Sequence, residues 1–274
     1  PPPRNRRRWR GICGNNTRFH KGAVRMGSTD GTNAAHFHAD ADDVFARIAG
    51  RYDVLCDLFS FWIHRHWKRK VATLIGKSNW RRMLDSASGT GDIVLRVVRE
   101  MPDRGGREII ASDISPAMLN IAKRKLDGSA FTEIRELDAH SMPSIPDGSI
   151  DLYSISLGLK ICDRNAALRE ALRVLRPGGT FVALEASNIP WSWLQHLYLT
   201  YMGLCMPILG WLATGGDASA YRYLLQGIKQ FPTAEELARE MSELGFEDVS
   251  FERLSLGIVA IHQARKPNGS RELA

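Results

Sequence analysis

A glycine-rich turn and a later carboxylate are the residues whose types and spacing could do chemistry. The turn reads Ser-Ala-Ser-Gly-Thr-Gly-Asp over 86–92, follows the short apolar run 82–85 and precedes an apolar helical pattern. Glycine lets a backbone approach a ligand closely, in conformations closed to residues with a Cβ. Asp113 comes 22 residues after Gly91, at the end of the next apolar run. A carboxylate there can accept hydrogen bonds from ribose hydroxyls, so the pattern predicts a site for a nucleoside-containing ligand.

The charges around this turn narrow the choice of ligand. A dinucleotide site would place Gly or Ala three residues after Gly91, where this chain has Val94, and the turn has no Gly-Lys-Ser/Thr phosphate motif. Asp85 before the turn and Asp92 at its end would repel a phosphate. The same carboxylates suit a ligand with an ammonium and a sulfonium group, as S-adenosylmethionine (SAM) has. The turn therefore favours SAM over a nicotinamide dinucleotide.

Alternating apolar runs and helical patterns must position these residues. Seven runs are typical of strands. They are 82–85, 108–113, 131–136, 150–155, 180–185, 247–254 and 257–263. A short turn alone separates the last two, which predicts that these two are antiparallel. The alternation predicts an α/β fold, a doubly wound, Rossmann-like seven-stranded sheet whose ligand binds at the carboxyl ends of the strands.

Helical patterns also precede the first strand and fill an uncharged stretch. Two N-terminal helices are predicted from about Asp43, the second over 63–74. The 31 residues 186–216 contain no Asp, Glu, Lys or Arg. Length alone permits a membrane span, but one crossing would separate the last two strands from their sheet. We therefore predict a helical lid inserted over 186–216, which lines an apolar acceptor pocket, touches a membrane surface, or both; buried core is the alternative.

Positive charge is confined to the N-terminal segment. Residues 1–29 hold eight Arg and Lys and no Asp or Glu, and without these eight the net charge of the chain falls from +7 to −1. The body is therefore not predicted to bind nucleic acid. We interpret 1–43 as a basic, disordered tail, with organellar targeting or contact with anionic lipid as alternatives, and 44–274 as one domain. Four dispersed cysteines favour reduced thiols in a cytosol-like compartment.

Several segments of the chain are similar to a known family. These segments are 84–92, Tyr52–Val54, Phe61–Lys68, Ser156–Leu159, Leu175–Gly179 and Tyr221–Leu224. The first resembles the leading motif of class I SAM-dependent methyltransferases, and the others resemble the ubiquinone/menaquinone-biosynthesis C-methyltransferases. The resemblance runs from about Val44 to Arg265. It implies methyl transfer from SAM to a hydrophobic acceptor, a ring carbon of a quinol- or phenol-type compound that could carry a prenyl chain.

The resemblance also implies contacts for individual residues. Thr90 would contact the cofactor from the turn, Asp113 would bind the ribose, and Asp138 and Ala139 would lie beside the adenine, with Ser156 at the end of the fourth strand. A carboxylate at Asp138 can accept from the adenine amino group, although a plain turn residue is the alternative. The full predicted cofactor site is Asp85, Ser86, Gly89, Thr90, Gly91, Asp113, Ile114, Asp138, Ala139 and Ser156.

The acceptor half departs from the family pattern. After Gly158-Leu159 the family usually has Arg-Asn, whereas this chain has Lys160-Ile161. Lysine keeps the charge but loses the planar fork of donors, and isoleucine cannot hydrogen-bond. The departure opens an alternative, N- or O-methylation of a lipid head group or a specialised metabolite. A non-catalytic, SAM-binding interaction subunit is a further alternative.

A carbon acceptor has to be made nucleophilic, for example by a base with a pKa near 7. The candidate catalytic residues are His140, His196, Tyr201, Arg222 and Lys160. No cluster has metal-ligand spacing, so no metal is predicted. We expect a hydrophobic or lipid-like acceptor and peripheral contact with a membrane from the cytoplasmic side, or from the mitochondrial matrix if the tail is a targeting segment. A homodimer is left open.

Overall fold

The structure, a computed structural model, describes residues 49–101, 105–129, 131–214 and 219–269. The predicted basic tail, 1–43, lies outside these ranges, so its roles in targeting or lipid contact stay predictions. The predicted boundary between tail and domain lies outside them as well.

All seven predicted strands are present in one sheet, in the order β3-β2-β1-β4-β5-β7-β6. The strands are β1 (Arg82–Ser86), β2 (Glu108–Asp113), β3 (Thr132–Glu136), β4 (Ile150–Ser156), β5 (Leu175–Ala186), β6 (Glu247–Leu254) and β7 (Val259–Arg265). The first five are parallel, and β7 lies antiparallel between β5 and β6. The doubly wound fold with antiparallel last strands is therefore confirmed. The strand order reverses between β1 and β4, so a crevice opens at their carboxyl ends.

Eight α-helices accompany the sheet in the described ranges. They are α1 (Tyr52–Ser60), α2 (Ile63–Lys77), α3 (Asp92–Glu100), α4 (Pro116–Lys125), α5 (Arg164–Val174), α6 (Ser192–Thr214), α7 (Ser219–Gln230) and α8 (Ala234–Glu243). Helices α1 and α2 are the predicted N-terminal pair, and α2 continues three residues beyond its predicted end at 74. A short 3-10 helix, Leu159–Ile161, follows β4.

Apolar side chains cover both faces of the sheet. Tyr153 and Phe181, on neighbouring strands, stack with their ring centroids 5.7 Å apart on one face. Leu152 and Val182, one position away on the same strands, pack with Ile75 of α2 on the other face. Because successive strand residues point to opposite faces, strands buried on both sides must be apolar almost throughout. This explains why the central strands read as short apolar runs in the sequence.

Strand β5 begins earlier than predicted. The sequence places a stop at 176–179 and the strand from 180, but Leu175 already pairs with Ile150 of β4. The next pair is Thr180 with Leu152, so β5 carries extra residues there as a bulge. Gly178 has a φ of +69° within this bulge. The Arg-Pro-Gly-Gly sequence thus ends helix α5 as expected, yet it lies inside the strand.

A tight turn between α1 and α2 exposes two aromatic rings. Phe61 and Trp62 have φ angles of +47° and +62°, which bulky residues seldom adopt. The Trp62 N–H donates to the carbonyl of Asp57 at 3.0 Å and closes the turn. One Gly-Lys-Ser sequence occurs at 76–78, where it forms the C-terminal end of α2 and its cap. A nucleotide phosphate loop instead comes directly before a helix. That triplet is therefore part of a helix terminus.

Within the uncharged segment 186–216 the structure describes one helix, α6, which contains Pro207. Tyr198, Met202 and Met206 pack in a cluster with α1. No helix in the described parts of the chain, α6 included, combines the length and the hydropathy that a membrane span requires. That this segment acts as a lid stays a prediction.

Candidate functional site

The fold brings the predicted cofactor residues to one edge of the sheet. Ser86, Asp113 and Ser156 are the last residues of β1, β2 and β4, and Asp138 and Ala139 follow β3. Since parallel strands end at the same edge, residues far apart in sequence border one crevice. Ile114, directly after β2, is partly exposed there.

The two glycines of the turn have different tasks. Both have positive φ, +56° at Gly89 and +75° at Gly91. A Cβ on Gly91 would lie 3.1 Å from the Leu126 side chain, so this glycine lets the turn pack against the end of α4. A Cβ on Gly89 would meet nothing within 4 Å. The Gly89 N–H donates to Asp113 Oδ2 at 2.8 Å, and the Ser115 N–H donates to Oδ1 at 2.9 Å. Asp113 therefore holds the turn beside open space.

Several buried polar atoms at this edge have no hydrogen-bond partner among the described residues, and two of them belong to Asp85 and Ser156. Asp85 Oδ1 accepts from the Ser154 hydroxyl at 2.5 Å, but Asp85 Oδ2 has no hydrogen-bond partner there, and neither has the Ser156 hydroxyl. Burial raises the pKa of Asp85 to about 7. Buried polar groups nearly always have partners, and a neighbouring cation would favour the carboxylate. These residues and the space beside Gly89 fit a cationic adenosyl ligand.

Thr90 connects the turn to two helices. Its hydroxyl donates to Asp53 Oδ1 at 2.8 Å and accepts from Lys125 Nζ at 2.8 Å. Asp53 and Lys125 also form an ion pair with each other. The side chain of Thr90 is therefore engaged by α1 and α4, and α1 is bound directly to the turn.

The carboxylate of Asp92 is neutralised within the protein. Lys68 Nζ lies 3.0 Å from Asp92 Oδ2, and Arg96 lies 3.4 Å from the same atom. Burial opposes ionisation, but Lys68 and Arg96 outweigh it and lower the pKa of Asp92. The charge of Asp92 is thus balanced by Lys68 and Arg96 within the protein.

Asp138 and His140 are hydrogen-bonded to each other in the loop after β3. Asp138 Oδ1 accepts from the backbone N–H of His140 at 2.9 Å and lies 2.6 Å from Nδ1. His140 Nε2 accepts from the Asp163 N–H at 2.9 Å. Because the Nε2 lone pair accepts this hydrogen bond, the ring carries its proton on Nδ1, and Nδ1–H donates a hydrogen bond to Asp138. His140 therefore shapes the loop, and its geometry does not suit the general base that the sequence suggested.

An apolar cavity of about 250 Å³ lies beside the cofactor edge. It is lined by α1, α2, α6, α7, the segment after β4, the end of β5 and the start of β7. Its apolar lining includes Leu55, Phe59, Trp67, Leu157, Met202 and Met206. Its lining residues with polar or ionisable side chains are Cys56, Ser60, His64, Lys160, Tyr198 and Tyr201. Of the predicted catalytic residues, Lys160 and Tyr201 therefore meet in this cavity.

Lys160 has a buried carboxylate beside it. Its Nζ donates to the Leu157 carbonyl and lies 3.9 Å from Glu185 Oε2. Burial lowers the pKa of Lys160 and raises that of Glu185, while the opposite charge of each partner counteracts the shift. A Cβ on Gly158 would lie 2.7 Å from Ala87 Cβ. Glycine thus lets the 3-10 helix that carries Lys160 start directly against the cofactor turn.

His64 of α2 is a buried histidine in the same cavity. The Ser60 hydroxyl donates to the Cys56 carbonyl at 2.6 Å and lies 2.7 Å from His64 Nδ1. Since the hydroxyl proton is used, Ser60 accepts from Nδ1–H. Burial, with a contribution from Lys68, lowers the pKa of His64 to about 4, so this ring is neutral at neutral pH.

The remaining catalytic candidates are not brought into the cavity as far as the structure describes them. His196 is exposed on α6 and is not among the lining residues. Arg222 belongs to α7, but its side chain lies outside the described residues. Tyr201, which does line the cavity, stacks on Phe61 with ring centroids 6.1 Å apart. Among the described residues no group of three or more His, Cys, Asp or Glu could hold a metal ion.

Sequence reasoning missed Glu185 and His64. Glu185 is a charged residue at the end of the predicted apolar run 180–185, and such an exception to the pattern is a usable signal. His64 lies in Phe61–Lys68, one of the segments that carry the family resemblance. The signal at Glu185 does not identify its partner, because Lys160 belongs to another element and approaches only in the folded chain.

Comparison with known proteins gives a consistent result. Residues 33–266 match the model of the ubiE/COQ5 methyltransferase family. The ubiquinone/menaquinone biosynthesis C-methyltransferase UbiE of Rickettsia bellii is 40% identical over 230 residues, which cover 82% of this chain and 92% of that protein. The corresponding protein of Acidiphilium cryptum is 39% identical over 224 residues, covering 80% and 88%.

Solved structures share the fold. A SAM-dependent methyltransferase of Thermotoga maritima, described as a possible histamine N-methyltransferase, superposes with a TM-score of 0.59 at 17% identity, covering 82% of this chain and 99% of that chain. Human N-acetylserotonin methyltransferase in complex with SAM gives a TM-score of 0.53 at 21% identity, covering 81% and 58%. At these identities the likeness shows the fold alone.

Proposed function

The chain belongs to the ubiE/COQ5 methyltransferase family, and from that premise we propose that it methylates a ring carbon of a hydrophobic quinol- or phenol-type acceptor. It is a SAM-dependent methyltransferase. SAM supplies an electrophilic methyl group on a sulfonium. As the ring carbon bonds to that methyl group, the methyl–sulfur bond breaks and leaves S-adenosylhomocysteine, and the ring proton is released to solvent.

The crevice residues would hold the cofactor. Asp113 would accept from the ribose hydroxyls, and Asp138 would accept from the adenine amino group. Asp85 Oδ2 and the Ser156 hydroxyl, which have no partner among the described residues, would take the polar groups of the methionine part. Gly89 would let the backbone approach the ligand. Thr90 and Gly91 would act by fixing the turn, because the Thr90 hydroxyl is already hydrogen-bonded to Asp53 and Gly91 packs against Leu126.

One observation carries the acceptor assignment: Lys160 in an apolar cavity beside the cofactor turn. A phenol becomes a carbon nucleophile as negative charge develops on its oxygen, and an ammonium group in a water-poor cavity stabilises that charge. The Tyr198 and Tyr201 hydroxyls line the same cavity and can donate to the acceptor. Burial raises the pKa of Tyr198 to about 12, so its hydroxyl keeps its proton. The same cation disfavours a positively charged lipid head group, which weakens the N-methylation alternative.

The product of a labelled reaction tests this proposal. Methyl-labelled SAM is incubated with phenolic acceptors with and without a prenyl chain, and NMR locates the label. We expect label on a ring carbon, and we expect an acceptor whose hydroxyl is blocked as a methyl ether to be inert. Label on oxygen or nitrogen would support the alternative acceptors. Intact SAM binding without transfer to any acceptor would support the interaction-subunit alternative and overturn the proposal.

We also propose that a lipid surface covers the outer side of α6. Trp193, Leu197, Leu204 and Ile208 recur at helical spacing along it, and Trp193 is 69% exposed. The exposed ring of Phe61 stacks on Tyr201 of the same helix and also lines the cavity. An uncharged helix face with aromatic residues suits the membrane interface, and an acceptor dissolved in lipid could reach the cavity there. The basic residues of 1–29 would add attraction to anionic lipid.

Vesicle binding tests this surface. The double variant Trp193→Gln/Leu204→Gln should bind phosphatidylglycerol-containing vesicles roughly tenfold more weakly, since each side chain loses part of about 1.5–3 kcal/mol of burial. Ser242→Gln, an exposed change on α8 that leaves the net charge unaltered, serves as the control and should bind nearly as the wild type does. Co-sedimentation measures both. Equal binding of the double variant and the wild type would contradict the proposal.

A further inference from the structure

We propose that Glu185 is a positioning residue for the reaction: its buried carboxylate keeps the Lys160 ammonium charged and in place for the acceptor oxygen. The inference rests on the proposed function, because it explains how a lysine in an apolar cavity stays able to stabilise a phenolate.

The contacts of Glu185 divide between its two oxygens. Oε1 accepts from the Leu159 N–H at 2.6 Å and so fixes the short helix that carries Lys160. Oε2 lies 3.9 Å from Lys160 Nζ and has no hydrogen-bond partner among the described residues. Glu185 is fully buried. One oxygen thus holds the backbone, and the other supplies charge to the neighbouring side chain.

An isolated ion in such a cavity would give up its charge, because burial disfavours the charged form of both acids and bases. Lysine would lose its proton and glutamate would gain one. When the two groups lie side by side, the charge of each reduces the free-energy cost of keeping the other one charged. The pair is therefore the means by which this apolar site keeps a cation.

The other titratable groups around Lys160 do not supply negative charge. Burial raises the pKa of Cys162 to about 12, so its thiol is neutral, and the charge of Lys68 opposes that of Lys160. Cys56 adds a thiol from α1. His64, Tyr198 and Tyr201 are the other titratable residues lining the cavity. His64 and Tyr198 are neutral at neutral pH. Among the described neighbours, Glu185 is the carboxylate that can balance Lys160.

The variant Glu185→Gln separates the two tasks. Its amide oxygen still accepts from the Leu159 N–H, but the negative charge is gone. Lysine is active in its charged form, so activity falls as the pH rises through the Lys160 pKa. Without Glu185 that pKa drops further, and we expect the alkaline limb of the kcat profile to move to lower pH by about one unit or more.

Lys160→Arg supplies the matched test. A guanidinium keeps its charge at every accessible pH, so adding Glu185→Gln to Lys160→Arg should leave the profile unmoved. Glu170→Gln is the control, because Glu170 also accepts from a backbone N–H, that of Met142, and lies outside the cavity. An alkaline limb that stays in place in Glu185→Gln, or moves equally in the Lys160→Arg background, would overturn the proposal.

A direct titration keeps the inference separate from the function. NMR of 13Cε-labelled lysines, with Lys160→Arg assigning the Lys160 signal, follows its protonation without turnover. We expect the Lys160 midpoint to fall in Glu185→Gln. An unmoved midpoint overturns the role of Glu185, whereas a lack of transfer to phenolic acceptors overturns only the proposed function. Binding of S-adenosylhomocysteine confirms that each variant is folded.

Discussion

Asp113→Ala is expected to weaken the binding of S-adenosylhomocysteine by about a hundredfold or more. The change removes the acceptor proposed for the ribose hydroxyls and also releases the Gly89 and Ser115 N–H groups that the carboxylate holds. Hydrogen bonds to a charged group contribute about 1.5–3 kcal/mol each, and 1.4 kcal/mol corresponds to a tenfold change in Kd. Isothermal titration calorimetry measures the loss.

Asp127→Ala is the matched control, because Asp127 is an exposed aspartate after α4. It should bind the ligand as the wild type does. Thermal unfolding without ligand shows whether Asp113→Ala remains folded, and Asp113→Asn, which keeps one acceptor oxygen, should fall between the two. Wild-type affinity in folded Asp113→Ala would contradict the proposed cofactor contacts.

Lys160→Met is expected to lower kcat by about 10²- to 10³-fold while S-adenosylhomocysteine still binds. This is the range found when one donor to a developing oxyanion is removed. Methionine has similar length and suits the apolar cavity, so the change mainly removes the charge. Transfer of labelled methyl to a phenolic acceptor measures the rate.

The control for this variant is Lys160→Arg, which restores the residue usual in the family and should retain most activity. Removing Lys160 also leaves Glu185 buried without its counter-ion, and that group should then take up a proton. Lys160→Met/Glu185→Gln removes this complication and should be as inactive as Lys160→Met. Wild-type turnover in either methionine variant would exclude Lys160 from the acceptor site.

The sheet and its edge could be predicted because the relevant rules are local. The central strands are buried on both faces and mostly apolar, and parallel strands end together. Asp113, Asp138 and Ser156 were therefore expected at one crevice, where the structure has them. The start of β5 was misjudged because Pro-Gly-Gly is typical of a turn, and a bulge inside a strand uses the same residues.

The chemistry of the acceptor side could not be predicted in the same way. Lys160 was identified as a departure from the family pattern directly after Gly158-Leu159, but its partner Glu185 comes from β5, and no spacing rule joins them. His140 was a reasonable base from its position, yet the Asp163 N–H occupies its Nε2 lone pair. Such outcomes depend on long-range packing, which decides whether a titratable group is free.

Helix α1 touches both halves of the site. Asp53 accepts from the Thr90 hydroxyl in the proposed cofactor turn, and Leu55, Cys56 and Phe59 line the proposed acceptor cavity two turns or less further along. A ligand that holds α1 in place at the turn would therefore also favour binding in the cavity, and the reverse holds as well. Coupling between two ligands is reciprocal. If the bound nucleoside raises the affinity for the acceptor by some factor, the bound acceptor raises the affinity for the nucleoside by the same factor.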